Sequence, residues 1–150
     1  MTLRIRELQK DDGLELLSIR NHPTNYQWFF SQSPIDIKDH VRWIETRIKL
    51  YSRFSLVALL NEKVIGTCYL DDPKADVPEV SISVSPDFKG IGVGSSLLNE
   101  IIDRAKEAHI NSLVARIMAK NLDSIGFFRS KGFVELKKQS PGTIELTLIH

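Results

Sequence analysis

Apolar and polar positions alternate with period two over residues 3–8, Leu-Arg-Ile-Arg-Glu-Leu, which predicts an opening strand. A second stretch is clearer: Val80, Ile82 and Val84 alternate with Ser81, Ser83 and Ser85, as in a strand with one buried face, and Pro86 and Asp87 stop it. Beyond it the period changes. Val93, Leu97, Ile101 and Ala105 recur every four residues, with Leu98 and Ile102 beside them, so a helix follows. Residues 54–60 and 63–70 read as two strands joined by a tight turn near Asn61 and Glu62. Further strands are predicted over 112–117, 133–137 and 144–148, the last after Pro141-Gly142. A helix over 11–21 turns Leu14, Leu17 and Ser18 to one face and ends before Pro23, which disfavours helix in the residue ahead of it. Ser33-Pro34 opens another helix, with serine as cap and proline first, along which His40, Trp43, Ile44 and Arg47 are spaced. Asn121 caps and Gly132 ends a short helix over 122–131. The order β-α-α-β-β-β-α-β-α-β-β predicts an α/β domain with a mixed sheet and helices on both faces.

A length of 150 residues fits one domain with a real core. Hydrophobic residues at 42% and charged ones at 26% are those of a soluble globular chain. A net charge of +1 argues against a nucleic-acid footprint. There is no 18-residue apolar run, and the N-terminus alternates as a strand rather than reading as a signal peptide; a cytoplasmic protein that contacts no membrane is expected. Cys68 is alone and mid-strand, which predicts a buried inert thiol and no cysteine metal site; no metal is expected.

Between the serine-alternating strand and the helix lies Lys89-Gly90-Ile91-Gly92-Val93-Gly94. Glycines let backbone N–H groups approach a ligand, and the helix N-terminus behind them favours an anion, so the unit predicts a pyrophosphate site over Lys89, Gly90, Ile91, Gly92, Val93, Gly94 and Ser95. The spacing is not Gly-x-Gly-x-x-Gly, and no lysine precedes Ser95 as in a P-loop. The loop resembles the Gln/Arg-x-x-Gly-x-Gly/Ala signature of the GNAT superfamily of acetyl-CoA-dependent N-acetyltransferases, with Lys89 where that family usually has Gln or Arg. Asn121, Ser124, Phe127-Phe128 and Gly132-Phe133 resemble its downstream Asn-x-x-Ala/Ser-x-x-Phe-Tyr-x-x-x-Gly-Phe segment. This resemblance implies a single GNAT-like domain, a mostly antiparallel sheet with a splayed central strand pair, and acetyl-CoA as co-substrate. It implies direct attack of a primary amine on the thioester in a ternary complex. It places Val84 as oxyanion donor through its N–H, and Asn121, Ser124, Phe128 and Lys131 beside the cofactor. Phe128 stands where the family commonly has a tyrosine acid, so solvent, or another tyrosine such as Tyr69 or Tyr51, becomes the candidate source of that proton. Glu79, heading the strand, is the expected general base, with Asp76, Asp72 and His40 next.

The region 17–47 resembles a narrower group, the N-acetyltransferases of nucleotide-linked 4-amino-4,6-dideoxy sugars in pseudaminic-acid biosynthesis, and more loosely those of ribosomal-protein N-termini. The residues behind the likeness are Arg20, Asn21, His40 and Trp43, with aromatics between. It implies an amino-sugar acceptor contacted by Arg20, Asn21, Tyr26, Trp28, Phe30, His40 and Trp43, with Lys38 and Arg42 available to a diphosphate. Each of these also fits a plain core or surface role. The alternatives are an acetyltransferase of a protein N-terminus, polyamine or other small amine, and a CoA-binding module without turnover. A monomer or homodimer is expected.

Overall fold

The structure is a computed structural model that describes residues 2–30, 33–136 and 139–150. Four strands, β1 (Leu3–Glu7), β2 (Ser55–Leu60), β3 (Lys63–Leu70) and β4 (Val80–Val84), pair antiparallel in chain order. β5 (Ser112–Met118) and β6 (Thr143–Ile149) form a separate antiparallel pair. The helices are α1 (Gly13–Arg20), α2 (Pro23–Tyr26), α3 (Ile37–Leu50), α4 (Val93–Glu107) and α5 (Leu122–Ser130).

β2 is buried along its whole length, and the pleat sends its residues two ways. Leu56, Ala58 and Leu60 join the core built by Leu97, Leu98, Ile101 and Ala105 of α4. Val57 and Leu59 join a second core with Leu16 and Ile19 of α1 and Ile44 of α3. The sheet is thus covered on both faces. Leu97, Leu98 and Ile101 are each 0% exposed, and burying each is worth roughly 1.5–3 kcal/mol. Gly66 lets α4 come this close: a Cβ there would lie 3.2 Å from Leu97 Cδ1 and 3.2 Å from the Ser83 carbonyl oxygen.

β4 and β5 meet at one parallel bridge, Glu79 with Val114, where Val114 N–H donates to the Pro78 carbonyl at 2.9 Å. Beyond it they share no ladder, and a cleft opens between them.

Four expectations change. α1 buries Leu16 and Ile19 while Leu14 is 76% exposed; both i, i+3 pairs fit a helical period, and packing against the sheet and α3 selects the second. α3 starts at Ile37, after Asp36, whose Oδ1 accepts from Lys38 N–H at 2.7 Å, so aspartate caps it and Ser33-Pro34 belongs to the link. The aromatic stretch contains the short α2, with Pro23 at its first turn and the His22 ring nitrogen accepting from Thr24 N–H. The strand expected over 133–137 is a single bridge, Val134 with Thr147; Lys137 lies outside the described residues. No described helix is long and apolar enough to cross a membrane.

Candidate active site

The hydrogen bonds of β4 decide where its amides point. Asp71 N–H donates to the Glu79 carbonyl at 2.9 Å, and Ser85 N–H to the Ile65 carbonyl at 2.7 Å. In an antiparallel ladder bonded and non-bonded pairs alternate. Cys68 with Ile82 and Gly66 with Val84 are therefore non-bonded pairs, and the amides of Ile82 and Val84 turn away from β3 into the opening. The Val84 carbonyl accepts from Asn25 Nδ2 at 3.1 Å.

α4 begins behind Gly92, whose φ is 91°, without a side-chain cap. Ser96 N–H donates to the Gly92 carbonyl at 3.0 Å, so the amides of Val93, Gly94 and Ser95 precede the first intrahelical bond. All three residues line the cleft. A Cβ on Gly90 or Gly92 would meet no protein atom within 4 Å, and the backbone at both has positive φ, 82° and 91°, which favours glycine. A left-handed double turn that presents bare amides at a helix start is a cradle for phosphate oxygens, and it fits the pyrophosphate of a CoA thioester. Across the opening stand Asn121, Ser124, Phe127 and Phe128. Asn121 Oδ1 caps α5 by accepting from Ser124 N–H at 3.3 Å. Phe128 packs edge-on to Phe133, ring centroids 5.1 Å apart. The cleft holds about 1110 Å³, above the roughly 300–1,000 Å³ of a pocket for one drug-sized ligand.

The other end of the cleft is charged. Tyr69, Glu79, Ser81 and Ser83 share one face of the β3–β4 ladder, and Asp71 follows β3 opposite Glu79. Glu79 Oε1 accepts from Arg116 Nη1 at 2.7 Å, and Arg116 also reaches Glu145 at 3.2 Å. Ser81 Oγ lies 3.5 Å from Asp71 Oδ2. Crowding by the protein, and next the neighbouring Glu79 carboxylate, push the Asp71 carboxyl above its ordinary value. Burial likewise raises the Tyr69 hydroxyl. Arg47, buried on α3, props this corner from behind: its guanidinium donates to the carbonyls of Asp71 (2.9 Å) and Phe54 (3.0 Å) and to Ser55 Oγ (2.8 Å).

Of the expected site residues, Glu79, Val84, Lys89, Gly90, Gly92, Val93, Gly94, Ser95, Asn121, Ser124, Phe128, Arg20, Trp28 and Phe30 line the cleft. Several others are placed elsewhere. His40 is 2% exposed, its Nε2 on the Gly13 carbonyl at 2.8 Å, because α3 packs that face against α1. Trp43 sits between Arg20 and Tyr69, off the cleft wall. Asn21 brackets the link to α3, donating to the Ile35 carbonyl (2.9 Å) and accepting from Ile35 N–H (2.6 Å). Tyr26 on α2 is off the wall, and Ile91, between the cleft-lining Gly90 and Gly92, is 57% exposed. Lys131 follows α5, with Nζ 5.9 Å from the Phe127 ring. Lys38 and Arg42 border a separate shallow depression on α3. Asp72, Asp76 and Tyr51 do not reach the cleft, whereas Tyr69 does.

Lys89 lines the cleft, but its Nζ donates to Asn25 Oδ1 at 2.9 Å, and desolvation holds the ammonium below its usual range. Asn25, 8% exposed, also donates to the Ile19 carbonyl at 2.8 Å. It therefore ties α1, the end of β4 and the glycine loop together, a role with no sequence signal beyond an asparagine among aromatics. Asp71 and Arg116 were equally silent; cross-strand arithmetic from Leu70 opposite Val80 is what reveals Asp71 beside Glu79.

An α/β fold whose central strands part over a glycine-built helix start, with ionisable groups at the far end, defines a cleft with an anion-binding end and a charged end. Residues 14–133 match the acetyltransferase (GNAT) family. The chain is 30% identical over 138 residues to the L-amino acid N-acyltransferase MnaT of Escherichia coli (strain K12), spanning 88% of this chain and 80% of that protein. The ribosomal-protein-alanine N-acetyltransferase from Brucella melitensis superposes with a TM-score of 0.78 at 27% identity, over 98% of this chain and 99% of that one. The fold of yncA from Salmonella typhimurium, solved with its cofactor acetyl-CoA, matches with a TM-score of 0.84 at 24% identity, over 99% and 94%. The chain belongs to the GNAT family and is an acetyl-CoA-dependent N-acetyltransferase, with acetyl-CoA as co-substrate.

Proposed function

We propose that the acceptor is the α-amine of a small amino acid. The observation that carries this reading is the charged far end of the cleft, where the carboxylates of Asp71 and Glu79 and the guanidinium groups of Arg20 and Arg116 face one confined space. An amino acid presents an ammonium and a carboxylate within a few bonds and matches such a mixed-sign surface. The likeness to an L-amino acid N-acyltransferase supports the same class.

Acetyl-CoA supplies an activated acyl group, and the residues of this chain do the rest. The amides of Val93 to Ser95 hold phosphate. The Val84 amide, which points into the opening, donates in this reading to the oxygen that gains charge. Asp71 and Glu79 draw the ammonium in and take its proton, directly or through water. Phe128 brings no hydroxyl, so the thiolate leaves as such, which a thiol pKa near 8.5 allows, or takes a proton from Tyr69.

A nucleotide-linked amino sugar is the second reading. Trp28, Phe29 and Phe30 line the cleft and offer faces to a base or sugar. It is weakened because Asn21, Tyr26, His40 and Trp43 do not. A thiol-release assay against free L-amino acids, alanine-headed peptides and nucleotide-linked amino sugars tests the choice. Turnover confined to free amino acids is expected; higher kcat/KM on a peptide or nucleotide sugar would overturn the proposal.

A further inference from the structure

Arg20, the last residue of α1, lines the cleft, yet among the described residues it has no carboxylate within ion-pair distance. Its guanidinium lies over the Trp43 indole, Cζ 4.0 Å from the ring centroid, and Nη1 donates to His40 Nδ1 at 3.2 Å. The His40 tautomer follows: Nε2 carries the proton and gives it to the Gly13 carbonyl, leaving Nδ1 as acceptor. His40 and Trp43 themselves stack, centroids 5.9 Å apart and planes 18° from parallel, and Trp43 meets Tyr69 edge-on at 4.9 Å. An arginine at a helix end normally ranges through solvent, or pairs with an acid. This one is held by the Trp43 ring and the His40 hydrogen bond behind the wall, and among the described residues no other group takes a hydrogen bond from its fork. Loss of side-chain freedom disfavours such an arrangement unless the fork has a partner.

We propose that Arg20 is the receptor for the acceptor's carboxylate, and that His40 and Trp43 are positioning residues that hold its fork toward the cleft. The inference rests on the amino-acid reading above. Asp71, on the neighbouring face, would take the ammonium end of the same molecule, so the two charges of the acceptor fix its orientation. The carboxylate sets specificity, and His40 and Trp43 act only through the arginine.

The test pairs each free L-amino acid with its carboxamide, which keeps the amine and removes the negative charge. Thiol release gives kcat and KM for the wild type, Arg20→Met, Arg20→Lys and Trp43→Leu, with melting curves to confirm folding. The wild type should prefer the acids. Arg20→Met should raise KM for the acids about 10- to 100-fold, the scale of a charge-assisted pair, leave the amides and the KM for acetyl-CoA unchanged, and so abolish the preference. Arg20→Lys should restore part of it, since charge returns without the fork. Trp43→Leu should raise KM for the acids with kcat kept. A wild type indifferent to the carboxylate, or an Arg20→Met enzyme that keeps the preference, overturns this inference while amino-acid acetylation stands. Turnover of peptides or nucleotide sugars but of no free amino acid overturns the amino-acid reading itself.

Discussion

At the scale of single residues, Asp71 sets stability against the proton transfer proposed for it. Its folded-state carboxyl is shifted up by desolvation and then by Glu79. A carboxyl raised above its unfolded value binds more protons in the native state, so stability falls as pH rises from the unfolded to the folded value and stays lower above both. Asp71→Asn should remove that penalty: at pH 7 the variant should melt slightly higher than the wild type, and the gain should vanish in acid. The same change should lower kcat/KM about 10²-fold, the usual scale for a lost proton acceptor, and alter the acid limb of the pH profile. A variant of normal rate with an unchanged limb would leave the proton to Glu79 alone. Asp71 was not singled out from the sequence, whereas Glu79 was, because only Glu79 heads a strand with visible alternation. His40 and Trp43 were legible as a motif but not as parts behind the wall, since spacing along α3 does not say which side of α1 they meet.

At the scale of elements, the unit of strand, glycine loop and helix was the most legible part of the chain. Period two, then glycines, then period four dictate β4, a turn at positive φ and α4 with little help from the rest of the fold. The pattern reads glycine at position 92 as room for a ligand, and the backbone adds a second demand that it did not reveal, a φ of 91°. Gly92→Val should therefore cost about 1–2 kcal/mol through the left-handed backbone, visible as a lower denaturation midpoint. It should also weaken acetyl-CoA in calorimetry far more than that strain accounts for, by re-aiming the amides of Val93 to Ser95. A folded variant with unchanged affinity would move the phosphate site elsewhere. Less legible were the starts of α1 and α3. There Asp36 competes with Ser33 as cap, and Leu16 with Leu14 for the core, and only tertiary packing chooses.

At the scale of the molecule, the fold class followed from element order, but the parting of β4 and β5 came into the reading through resemblance and not through periodicity. Among the described residues the two sheets meet at a single bridge, reinforced by the ion pair of Glu79 with Arg116. A ligand in that seam touches both parts, so acetyl-CoA at about 100 times its Kd should add about 2.7 kcal/mol and raise Tm by roughly 5–10 °C. Hydrogen exchange should show the protection in β4, β5 and α5; protection confined to α4 would mean that the ligand does not span the seam. The amides of Ile82 and Val84 form, in effect, an interior sheet edge, with donors in line and no neighbouring strand to receive them. Sheet edges recruit strands, and a protein that carries one inside its own waist is exposed to mispairing whenever the seam breathes. The pantetheine arm, extended and amide-bearing, is chemically a short strand. On this view the cofactor also serves as a plug, and the protein without it is the form most prone to pair with its own kind on warming.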